Sequence, residues 1–148
     1  MALKKEATAE IPNAAKEVVQ EKPKYSKEEL MAIFDTILFE GAYSETVAIK
    51  GKLQVTFTTR STAATSAITK ELDSKQFNLM SSMQEYRAFL AICHSLTGYH
   101  GKDISTGSLD DRKSFVEKLP SVVVAALSYA LVEFDSKTAA ALDENENF

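Results

Sequence analysis

The sequence has 148 residues, and its 17 basic against 21 acidic side chains set a formal charge of −4, which offers a nucleic-acid phosphate backbone no electrostatic attraction. That length suits one domain with a sizeable core. The single cysteine, Cys93, excludes an intramolecular disulfide, and the longest apolar run falls short of the about 20 residues that cross a bilayer, so no membrane partner is expected.

Residues 1–24 mix Ala, Lys and Glu with Pro12 and Pro23 and have few of the large apolar groups that offset ordering entropy. They read as an arm, flexible alone or ordered along a neighbouring subunit, with Ile11, Val18 and Val19 as anchors. With no signal-like amino terminus, the chain reads as made in a reducing cytosol. Residues 25–142 read as a single helical domain, and 143–148 as an acidic tail with Phe148 as a short linear anchor.

Within the domain, Ser26 with Glu29 announces a helix. Leu30, Ile33, Phe34, Ile37 and Leu38 then make an amphipathic stripe, and Gly41 is placed to end it. Between residues 44 and 59 the period drops to two: Val47 and Ile49, a Lys50-Gly51-Lys52 turn, then Leu53, Val55 and Phe57 between polar neighbours. This is a β-hairpin whose apolar face lies on helices or whose edge pairs with another chain, which makes Val55 and Phe57 both core residues and candidate partner contacts.

Ser61 or Thr62 caps a further helix carrying Ile68 and Leu72. A longer one is expected from about Lys75 to Leu96, with Leu79, Met80, Met83, Tyr86, Phe89, Leu90 and Cys93 inward. Thr97 to Gly107 holds three glycines and reads as an exposed loop. Ser108 with Asp111 caps a short helix carrying Leu109, Val116 and Leu119. Pro120 opens the last helix, which is apolar from Val122 to Val132 except for Ser128 and is therefore expected to be enclosed on most sides, ending near Ala141.

The predicted fold is mainly α (α+β): a bundle of about five helices with one β-hairpin packed on its side and the long apolar carboxyl-terminal helix at its centre. The expected core is Ile33, Phe34, Ile37, Val55, Phe57, Met83, Phe89, Leu90, Val123, Leu127, Leu131 and Phe134.

No catalytic, cofactor or metal signature stands in the chain. Cys93 and His94 are adjacent, but successive helical side chains point about 100° apart, so they do not form a nucleophile and base. His94, His100 and Asp103 lack the spacing of a zinc site. Asp110, Asp111, Glu133 and Asp135 read as caps and a solvated face, and Met80 and Met83 as core rather than an adaptable groove.

Three stretches carry a family resemblance: the hairpin ETVAIKGKLQVTFTTRST running into a helix, the LTGYHGKDIS loop, and the closing LPSVVVAALSYALVEFDSKTAAALDENENF. Together they resemble small tailed-bacteriophage proteins, the tail assembly chaperones and helical baseplate hub proteins of T4-like phages. The resemblance implies a non-enzymatic morphogenesis or virion structural protein whose partners are other phage tail or virion proteins or further copies of itself. It implies a place in the host cytoplasm during assembly and, for a permanent part, in the virion. The lysine- and alanine-rich arm departs from the pattern. A cytosolic helical adaptor unrelated to phage is the alternative reading.

Overall fold

A computed structural model describes residues 25–143. The predicted arm with Ile11, Val18 and Val19, and the tail with Phe148, lie outside these residues.

Helix α1 spans Lys27–Glu40. Ser26 stays extended and its hydroxyl accepts from the Glu29 amide, while Gly41, at φ 86°, ends the helix by donating its N–H to the Ile37 carbonyl. Strands β1 (Ser44–Ile49) and β2 (Leu53–Thr58) form the expected hairpin, turned through Lys50 and Gly51, both at positive φ. Helices α2 (Thr62–Ser74), capped by Ser61, and α3 (Met80–Ser95) follow. The predicted helix from Lys75 begins five residues late, and this leaves Leu79 and Met80 exposed instead of buried.

At Leu96 the chain departs from the sequence reading. Helix α3 runs directly into β3 (Leu96–Tyr99), which pairs with β2 and turns through His100 and Gly101 into β4 (Lys102–Asp103). The expected exposed loop is therefore partly sheet. Two of its glycines serve strands rather than a loop: Gly101 supplies a positive φ to the two-residue turn, and Gly98 passes so close to Thr56 that a Cβ there would stand 2.9 Å from the Thr56 Cβ. The result is an α+β fold with five helices and a four-stranded antiparallel sheet, ordered β1-β2-β3-β4, among the described residues. It is not a helical bundle with one hairpin on its side.

Helix α4 (Leu109–Glu117) opens on a reciprocal capping box between Ser108 and Asp111. Pro120 then occupies the N-cap of α5 (Ser121–Leu142). One face of the sheet, with Val55, Phe57 and Leu96, packs on Ile92 and Cys93 of α3, Val116 of α4, and Leu127, Leu131 and Phe134 of α5. Burying each of the larger of these side chains stabilises the fold by about 1.5–3 kcal/mol. Smaller clusters join α1 to α5 through Leu30, Ile33 and Ala141, and α2 to α3 through Ile68, Leu72 and Leu90. Of the expected core, Ile37, Met83, Phe89 and Val123 are half-buried and Phe34 is exposed. Helix α1 packs its Leu30–Ile33 side on Ala141 of α5 with Tyr25 and Tyr43 beside them, and this leaves Phe34 38% exposed.

Three polar nodes tie the layers. Arg60, just after β2, donates to Ser95 at 2.6 Å and pairs with Asp135 of α5 at 2.9 Å. Lys113 of α4 donates to both carboxylate oxygens of Glu71 on α2, at 2.8 and 2.9 Å, and Tyr86 donates to the same carboxylate. Lys137 of α5 pairs with Glu29 at 2.9 Å and Glu45 at 3.0 Å, while the Tyr43 hydroxyl donates to Glu45 at 2.6 Å. Burial pushes the Lys137 ammonium down, but its bonds to Glu29 and Glu45 prevail and hold its pKa above the ordinary lysine value.

Candidate docking surface

Helix α5 is the place where sequence and burial disagree most. Its inner face is closed by Leu127, Leu131 and Phe134, yet Val122, Tyr129 and Val132 are 75%, 79% and 61% exposed, and Ala125 between them is also exposed. Offsets of three, four and three residues place these four on one helical face. The expected enclosure of the first half does not occur, because the sheet covers α5 from one side only. The outer side is apolar and uncovered among the described residues.

Concave surfaces flank this stripe. A groove of about 580 Å³ lies between α3, α5 and the end of α4, lined by Phe89, Ile92, Val116 and Val124 with Ala88 and Ala125. On the other side a groove of about 450 Å³ lies between edge strand β1 and α5, lined by Val47, Ile49, Ala126, Tyr129 and Ala130. The outer face of the sheet has a different character. Ser44 bonds Thr58 at 2.7 Å, Thr46 bonds Thr56 at 2.8 Å, and Thr58 bonds Thr97 at 2.9 Å. These hydroxyls satisfy one another across the strands and make a polar, solvated face.

Val55 and Phe57 offer another chain no surface within this fold. They are 1% and 0% exposed and point into the main core. Their strand β2 is central, with β1 and β3 on either side, so it has no free edge to offer another chain. Strand β1 holds the long edge instead. The candidate contacts Ile11, Val18, Val19 and Phe148 lie outside the described residues.

The Cys93 thiol is fully buried, and burial pushes its pKa up to about 12, which disfavours the nucleophilic thiolate. His94 is held below its ordinary value by burial first and then by the charges of Arg112 and Lys113. His100 lies in the β3–β4 turn, and Asp103 accepts from the Ser105 amide at 2.8 Å. Among the described residues no three His, Cys, Asp or Glu side chains gather closely enough to hold a metal ion. No helix there is long and apolar enough to cross a membrane.

The signal for the α5 face is present in the sequence as a helix without a polar side, a pattern that enclosure by the chain's own elements and docking of a partner share. Compared with protein-family models, with curated proteins and with solved structures, the chain matches none.

Proposed function

We propose that this protein is a non-enzymatic assembly protein that works by binding other proteins through the outer face of α5. One observation carries the reading: α5 exposes Val122, Ala125, Tyr129 and Val132 on the side where a solvated helix would carry charges. Contiguous apolar surface of this kind marks an interaction site. The same helix and the Leu119-Pro120 corner before it hold the LPSVVVAALSYALVEF stretch that resembles phage tail assembly chaperones and baseplate hub proteins. We therefore assign the protein to tail or baseplate morphogenesis, in the host cytoplasm while assembly proceeds.

Mass spectrometry on gradient-purified particles, beside the unfractionated lysate, tests the assignment. Stoichiometric recovery in particles makes the protein a permanent virion part; recovery with tail subunits in lysate alone makes it a chaperone. In either case Tyr129→Asp removes the association while circular dichroism stays unchanged. Absence from both particles and tail-subunit complexes overturns the phage reading in favour of an adaptor.

A further inference from the structure

The groove between α3 and α5 has features that specify its occupant. Buried Ile92 and Val116 form its floor, Phe89 and Val124 contribute to its sides, and the small Ala88 and Ala125 leave it open. The exposed carboxylates Glu85 and Glu117 also line it. Neither has an ion partner among the described residues. Arg87 and Lys118, their near neighbours in sequence, do not line the groove.

We propose that this groove receives an amphipathic helix of a partner protein that carries large aliphatic anchors and flanking lysines or arginines. The proposal rests on the reading of α5 as a docking face and names the chemistry of what docks there. A helix is required because the long walls of the groove are themselves helices, whose backbone groups are bonded internally. An extended peptide buried there would find no partners for its own N–H and C=O groups, whereas a helix brings them already paired. The groove follows α5 from Ser121 to Ser128, roughly 10 Å at 1.5 Å per residue. That is about two turns, room for anchors at i, i+3 or i+4, and i+7.

Basic flanks are required by Glu85 and Glu117. The same charges disfavour the α1 stripe of a second copy, because Met31, Phe34 and Leu38 lie among Glu28, Asp35 and Glu40 and would meet carboxylate with carboxylate.

The test uses the full chain and two fluorescent helical peptides of identical leucine anchors, one flanked by lysines and one by glutamates, read by anisotropy. The lysine-flanked peptide binds wild type about tenfold more tightly than the glutamate-flanked one, and the Glu85→Lys/Glu117→Lys variant inverts the preference. Ala125→Trp, which fills the groove from an exposed position, abolishes binding of both. Equal binding of the two peptides, a preference that survives the charge reversal, or undiminished binding by Ala125→Trp overturns the proposal. Tyr129→Asp separates the two readings. If the natural complex is lost in Tyr129→Asp but persists in the charge-reversed variant, the docking face stands and the groove proposal falls; if it persists in both, both fall.

Discussion

Gly98→Ala adds one methyl group where the sheet has no room for it. Opposed Cβ atoms in an antiparallel pair normally stand about 4.5–5.5 Å apart, but a Cβ on Gly98 would lie 2.9 Å from both Cβ and Oγ1 of Thr56. Rotating Thr56 does not remove the clash, because its Cβ is itself an obstacle and its hydroxyl is held by Thr46 at 2.8 Å. Strand β2 is fixed by neighbours on both sides, so the strain reaches the core through Val55 and Phe57. Overpacking of this kind costs about 1–3 kcal/mol. For a domain of this size that lowers Tm by about 4–12 °C. Thermal and urea melts followed by circular dichroism measure it, with the denaturant slope unchanged. Thr56→Gly in the same chain removes the obstacle, so the double variant is more stable than the two single changes sum to, by about 1 kcal/mol. A Gly98→Ala protein that melts with wild type, or strictly additive single changes, would refute the close approach of β2 and β3.

Glu71→Gln destabilises the protein by about 1.5–3 kcal/mol at pH 7, because it leaves the Lys113 ammonium and the Tyr86 hydroxyl without their charged acceptor. The bonds from Lys113 first and Tyr86 second hold the Glu71 pKa low, so this stabilisation is complete above the unfolded carboxylate value of about 4.3 and is lost as pH falls through the folded one. Urea melts should show the gap between wild type and Glu71→Gln closing in that acid range. His94 titrates below its ordinary value when folded, so the unfolded chain takes up its proton first. Between pH 7.5 and 5 wild type therefore loses more stability than His94→Gln does, as paired melts at the two pH values will show. Cys93, buried and with its pKa pushed up to about 12, reacts with a thiol reagent only at the rate of unfolding; fast labelling of the native protein would contradict its placement.

Local signals in the sequence were reliable where one residue does one job. Ser26, Ser61 and Ser108 cap the helices expected of them, Gly41 ends α1, and the alternation from Val47 to Phe57 is the β1–β2 hairpin. The third strand was hidden because Leu96–Tyr99 is only four residues long and its Gly98, with Gly101 and Gly107 after it, also signals a loop. Its partner, β2, lies about forty residues upstream, beyond the reach of any local pattern. Phe34 and the outer face of α5 are exposed for a shared reason: periodicity reports that a face is apolar, not that the chain supplies something to cover it. Val55 and Phe57 were legible as core, and the partner role also considered for them required an edge that β3 occupies.

Lys137 gives α1 a life separate from the rest of the molecule. The helix is fastened by Leu30 and Ile33 against Ala141, and by one ammonium shared between its Glu29 and Glu45 of β1, with the Tyr25 ring 5.6 Å away. None of its residues belongs to the main core cluster. Its amides are thus expected to exchange with solvent deuterium through a cheap, partial opening that leaves β2 and the middle of α5 protected. Because an ion pair is part of the fastening, rising salt speeds that exchange, and the Lys137 ammonium helps to set how often the end of α5 is uncovered.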